Sequence, residues 1–127
     1  MQIPLIGECY VVEHNEITAD QLHLKVKRVS RVMAELVADL VKSFYTNKFS
    51  EVVMNCPVPV FSIGAEKLNT DIEVLNKACS TVKAGARGII FGRNIFMAKN
   101  PKNLIGALND VMNNNILPED AVKKYKL

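Results

Sequence analysis

Gly88-Ile89-Ile90-Phe91 is a short apolar run in which no polar residue alternates with the apolar ones. Such a run predicts a strand buried on both faces, as strands are in parallel sheets. A parallel sheet needs a crossover after each strand, so this one segment constrains how the rest of the chain is wired. Upstream, Lys83-Ala84-Gly85 reads as a helix stopped by Gly85 at the C′ position. Downstream, Gly92 lets a backbone or ligand come close and Arg93 offers a forked cation. A short helical turn over residues 94–97 would aim free N–H groups at the same spot, and Asn100-Pro101 starts another helix.

The segments before it fit that wiring. Residues 3–10 read as a strand with Glu8 as its polar exception, followed by a polar loop over 11–17. Thr18 with Gln21 forms a capping box. Leu22, Val26, Val29, Met33 and Leu36 then recur at helical spacing, predicting a helix of roughly 20 residues. Lys25, Lys27, Arg28 and Arg31 read as its solvated side. Residues 38–44 are a second strand, and Thr46-Asn47 would cap a helix over 48–54 that ends before Pro57. Residues 58–63 are a third strand, with Pro59 near its start because it lacks a donor. Thr70 with Glu73 is a second capping box, opening a helix whose inner face is Leu75, Ala78, Cys79 and Val82. Residues 88–91 are the fourth strand. The helix from Asn100-Pro101 turns Leu104, Ile105, Leu108, Val111 and Met112 inward, Asn113-Asn114-Asn115 breaks it, and residues 118–125 form a last turn or two. The expected fold is α/β, a single domain over 1–127 of four β-α units with a parallel sheet.

Composition narrows the function classes. A chain of 127 residues with 49% apolar and 23% charged residues can form one modest core, which argues against disorder. No apolar run approaches the ~20 residues of a membrane span, and the N-terminus lacks a basic region followed by a long apolar stretch. A net charge of +3, scattered along the chain, gives no footprint for nucleic acid. Cys9, Cys56 and Cys79 form no C-x-x-C pair and read as buried thiols of a reducing, cytoplasmic compartment. His14 and His23 have no metal-ligand spacing with any cysteine, so neither a metal nor a cofactor is expected.

In parallel α/β folds ligands sit beyond the C-terminal ends of the strands. That rule selects Glu8, Tyr10, Lys42, Gly64, Ala65, Gly92 and Arg93. Lys42 interrupts an apolar strand. It is either a strand-end lysine reaching water or an amine turned toward a carbonyl compound, with which a deprotonated lysine forms a Schiff base. Tyr10 is either a proton donor or a tyrosine packed at the rim. Gly92-Arg93 is either a phosphate site or the carrier of a surface ion pair. Helix, buried strand, Gly-Arg, short helix and long helix is the order found at a barrel phosphate site.

With these residues assembled, the chain resembles the class I, Schiff-base aldolases of the archaeal fructose-bisphosphate aldolase kind, relatives of the phospho-autoinducer-2 thiolase. The likeness rests on Ala34-Glu35-Leu36-Val37-Ala38-Asp39-Leu40-Val41-Lys42-Ser43-Phe44-Tyr45, on Cys56-Pro57-Val58-Pro59-Val60, and on Gly88-Ile89-Ile90-Phe91-Gly92-Arg93-Asn94-Ile95-Phe96. It extends from Ile3 to about Asn115 and corresponds to the C-terminal half of that family.

The resemblance implies a (β/α)4 half of a TIM (β/α)8 barrel, supplying strands five to eight. It implies the Schiff-base lysine at Lys42, a tyrosine acid/base at Tyr10, and a phosphate held by Gly64, Ala65, Gly92 and Arg93. The substrate would be a phosphorylated sugar or ketone, and the reaction that of a lyase or transferase. The family carries glycine where this chain has Val37 and Ala65. A barrel of this type runs to ~250 residues, about twice this chain, and the family's first-strand aspartate lies in the other half. A half-barrel leaves two open strand edges and an uncovered apolar face, so a homo-oligomer or a complementary half-barrel chain is expected. The alternative is a truncated, catalytically inactive relative that keeps a phosphate-binding or oligomerisation role.

Overall fold

The computed structural model describes residues 3–12 and 16–127, so His14 and part of the polar loop lie outside the described residues. Four short parallel strands, β1 (Ile6–Cys9), β2 (Leu40–Ser43), β3 (Val60–Ile63) and β4 (Gly88–Ile90), pair in the order β1-β2-β3-β4. Helices α1 (Ala19–Glu35), α2 (Phe49–Asn55) and α3 (Asp71–Lys83) follow the first three strands. The short α4 (Arg93–Phe96), then α5 (Pro101–Asn113) and α6 (Pro118–Tyr125), follow β4.

Both capping boxes form. Thr18 Oγ1 accepts from the Gln21 amide and Thr70 Oγ1 from the Glu73 amide, while each N3 side chain accepts from its cap residue's backbone. These bonds satisfy amides that a helix start leaves orphaned. Gly85, at φ +91, ends α3, and Asn100 caps α5 by accepting from the Asn103 amide. Two local expectations need correction. Thr46 does not cap α2. Lys48 occupies that position with no side-chain bond, and the Thr46 hydroxyl lies 2.9 Å from Nδ1 of the buried His23. Lys27 and Arg31 are not simply solvated. Lys27 pairs with Glu51 at 2.9 Å, and Arg31 donates to the Asn55 carbonyl, so both help seat α1 on α2.

The register sorts strand residues into two faces. Gly7 with Val41 and Val60, and Cys9 with Ser43 and Ser62, face the helices and are buried. Val26, Phe49 and Val52 pack there on one side, while Leu75, Leu104, Ala107 and Ala121 build a second cluster under α3, α5 and α6. The other face carries the row Glu8, Lys42, Phe61, Gly88, with Ile6 below it and Ile90 above. No helix covers it. Ile6 is 53% exposed and Ile90 37%, so the expected burial of the fourth strand on both faces is met on one face only. Ile105, expected to face inward, is 53% exposed on a flank of α5.

Two non-glycine residues adopt a left-handed backbone in the loops at the sheet's ends: Val37 at φ +77, entering β2, and Ala65 at φ +54, leaving β3. These are the two positions at which the resemblance calls for glycine, so the loops keep a glycine conformation without the glycine. A β-branched residue there is strained.

Candidate active site

The C-terminal ends of the four strands carry the residues singled out in the sequence. Lys42 points from β2 onto the open face with its side chain one-quarter exposed, and its Nζ lies 2.9 Å from Glu8 Oε1. The pair follows from register: Glu8 and Lys42 are direct partners in neighbouring strands, so both side chains leave the sheet on one side. One strand further, Phe61 continues the row and its ring lies over Gly88, where a Cβ would sit 3.2 Å from it. Tyr10 stands just beyond β1 with its ring 5.1 Å from that of Phe44. Its hydroxyl forms no hydrogen bond among the described residues, so the structure brings Tyr10 to the same rim as Lys42 without joining the two.

The second group gathers at the ends of β3 and β4. Gly64 donates its amide to the Ile90 carbonyl, and a side chain at 64 would meet Asn94 Nδ2 at 3.0 Å and the Phe91 ring at 3.2 Å. Three side chains hold successive carbonyls of this loop. Lys77 Nζ donates to Gly64 O at 3.0 Å, Arg93 Nη2 to Ala65 O at 2.8 Å, and Asn94 Nδ2 to Glu66 O at 3.1 Å. The carboxamide oxygen of Asn94 accepts the Leu68 amide at 2.7 Å. With its carbonyls turned away, the loop leaves the amides of Ala65, Glu66 and Lys67 without a partner among the described residues. Consecutive free amides at a left-handed turn form a concavity suited to an anion. A Cβ at Gly92 would meet nothing within 4 Å, so the space beside Arg93 is open.

Sequence reasoning placed Gly64, Ala65, Gly92 and Arg93 at this end, and the structure puts the two pairs side by side. It overlooked Lys77 and Asn94. Lys77 had a signal, since it sits on the α3 face marked by Val74, Ala78 and Thr81, all buried. Its ammonium is 5.9 Å from the Phe91 ring centroid, and burial holds its pKa below the ordinary lysine value. Asn94 is a buried amide whose partners lie about thirty residues away in sequence, which no local pattern reveals.

The remaining reactive groups face elsewhere. Burial pushes the Cys9 thiol up to about 11, which leaves it protonated on the helix side of β1. Cys56 is also buried, and Cys79 is half-buried on α3. Hydrogen bonds from Lys27 and then His23 hold Glu51 below the usual carboxylate range, in a network that ties α1 to α2. No three His, Cys, Asp or Glu side chains among the described residues gather as a metal site would require. No helix among those residues is long and apolar enough to cross a membrane.

The chain as a whole is similar to known proteins. The sequence profile of the DeoC/LacD family aldolases fits residues 1–98. The 3-hydroxy-5-phosphonooxypentane-2,4-dione thiolase of Salmonella typhimurium is 32% identical over 113 residues, which span 88% of this chain and 37% of the thiolase. An uncharacterized aldolase of Saccharolobus solfataricus is 35% identical over 128 residues, covering 98% of this chain and 47% of that protein. The crystal structure of an archaeal fructose 1,6-bisphosphate aldolase superposes with a TM-score of 0.78 at 28% identity, over 87% of this chain and 45% of that one. A further archaeal aldolase structure, with its catalytic lysine covalently bound to the carbinolamine intermediate of the substrate, also reaches 0.78 at 26% identity. The chain thus spans less than half the length of each of these relatives, and its fold is one half of the (β/α)8 barrel of the aldolase structures. It belongs to the DeoC/LacD family of aldolases.

Proposed function

We propose that this chain carries the Schiff-base half of an aldolase site acting on a phosphorylated sugar or ketone. The observation that carries the reading is the placement of Lys42: a lysine on the open face of a parallel sheet, near the strands' C-terminal ends, with a carboxylate 2.9 Å away and an anion loop across the adjoining strand. The covalently trapped lysine of the archaeal relative supports the same chemistry.

The steps follow from the groups present. Glu8 takes a proton from the Lys42 ammonium, freeing the amine to attack the substrate carbonyl. A C–N bond forms, the carbonyl oxygen is protonated and leaves as water, and a protonated imine remains. That imine accepts the electron pair of the breaking C–C bond, giving an enamine, while the hydroxyl proton of the departing carbon passes to a base. Tyr10 serves as the acid/base at the rim, with a hydroxyl unengaged by the protein. Protonation of the enamine and hydrolysis of the imine return Lys42. The phosphate is held by the amides following Gly64 and Ala65 and by Gly92-Arg93, where Arg93 still has donors beyond the one given to the loop.

The site has walls on one side only, so turnover requires the remaining strands of a barrel. Borohydride reduction in the presence of fructose 1,6-bisphosphate tests the reading. An adduct mapped to Lys42 by peptide mass, absent from Lys42→Met, is the expected result. No adduct, or one on other lysines at equal yield, would replace this reading with that of a phosphate-binding relative without turnover.

A further inference from the structure

We infer that a second copy of this chain closes the barrel, as a two-fold dimer in which β4 of each protomer pairs with β1 of the other. The inference names the partner of the site proposed above and rests on that reading for its functional meaning. Its geometry rests on separate features. The sheet is all-parallel with β1 and β4 as its free edges, and its helices lie on one face. A two-fold axis along the strands keeps every strand parallel and brings the β4 edge of one copy to the β1 edge of the next at both seams. Eight strands result and no edge remains. A unit that matches 45% of a solved barrel chain needs about as much again to complete it.

The helical layer carries matching flanks. In a (β/α) ring each helix packs against its neighbours, as α1 does on α2 and α3 on α5 within this chain. The α1 side facing α2 is marked by His23, Lys27 and Arg31, which bond to Glu51 and Asn55. On the opposite flank, Val29, Val32 and Leu36 follow at helical spacing, and Val32 and Leu36 are 48% and 65% exposed although apolar. On α5 the sides toward α3 and α6 are filled. The remaining flank, with Ile105, Leu108 and Met112, forms an apolar groove with Ile89, Phe91 and Ile95. Closure by a second copy sets the α1 stripe of one protomer beside the α5 groove of the other, twice. It also covers Ile6 and Ile90 on the open face.

This closure completes the site as well as the fold. Glu8 stands on β1 and Tyr10 just beyond it, and β4 leads into Arg93, so across each seam Arg93 of the partner subunit joins the rim next to Tyr10. The barrel then holds two lysines and two anion loops at one end.

Light scattering of the purified chain should give twice the 14.1 kDa protomer mass. Ile105→Glu alone, or Val32→Lys alone, should raise the dimer dissociation constant at least about tenfold while circular dichroism stays unchanged. The double variant should recover much of the loss, because the two new charges meet across the seam. A folded wild-type monomer overturns the inference. So does a dimer that neither substitution weakens, an odd-numbered assembly, or a monomer that associates only with a chain supplying the relatives' other barrel half. Lys42 trapping is scored separately. A monomer that still traps substrate refutes the closure and spares the function, whereas a closed dimer that traps nothing does the reverse.

Discussion

The two faces of the sheet are made from the same four strands and have opposite fates. Toward the helices, Val41 and Val60 are sealed against α1 and α2 in a close-packed layer. Toward the open side, Ile6 and Ile90 remain in water next to an ion pair. The difference shows where stability and chemistry reside. The covered face holds the unit together, and the open face keeps a lysine accessible at the expense of exposed apolar surface.

The largest contrast concerns Lys42. Lys42→Met should abolish borohydride trapping altogether and leave the melting temperature unchanged, because Glu8 is half-exposed and is not stranded as a buried charge. On the covered face, Val41→Ala should cost about 2 kcal/mol in denaturant unfolding, since two buried methyl groups leave a hole that the sheet cannot collapse around. On the open face, Ile90→Ala should cost less than about 0.5 kcal/mol at dilutions where the chain is monomeric. If that cost rises with protein concentration, the open face is being covered by association.

Val37→Gly tests the strained end of β2. Its side chain is exposed, so little packing is lost, and removing the Cβ from a left-handed backbone should stabilise the chain by up to about 1 kcal/mol after the entropy cost of glycine in the unfolded state. The smallest effect is local and depends on pH. Hydrogen bonds from Lys124, then Asn114 and Tyr125, hold the Asp110 carboxyl down to about 2, against an ordinary value of 3.8. A carboxylate with a lowered folded pKa stabilises the fold above its unfolded pKa, and that stability is lost as pH falls from about 4 toward 2. The protection factors of α6 amides, measured against intrinsic exchange at each pH, should therefore fall over that window in the wild type. In Asp110→Asn they should already be low at neutral pH and change little.

Much of this was legible in the sequence because it rests on local chemistry. Thr18 with Gln21, Thr70 with Glu73, and Gly85 announced their helix boundaries, since capping and a left-handed stop involve residues within a turn of each other. Lys42 and Gly92-Arg93 stood out because parallel sheets concentrate ligands at one end. What escaped was set by distant contacts. Thr46 had the composition of a cap, but its hydroxyl is taken by a histidine from α1. Ile105 has the spacing of a core residue, yet helical spacing does not say whether a neighbour exists to cover that flank. Lys77 and Asn94 act on the carbonyls of a loop remote in sequence, so only the folded chain reveals what they hold. The strands run shorter than their apolar runs because pairing stops where the neighbouring strand ends.

The strand order has a kinetic meaning. Each strand pairs with the one made just before it, so every sheet contact joins segments separated by a single helix and its loops. Such a sheet can be laid down unit by unit as the chain leaves the ribosome, without holding an early strand open for a late partner. β1 and β4 are the edges of this sheet, each paired on one side only among the described residues. A separate chain that pairs with them arrives by diffusion, so that step slows with dilution while the folding of the sheet itself does not.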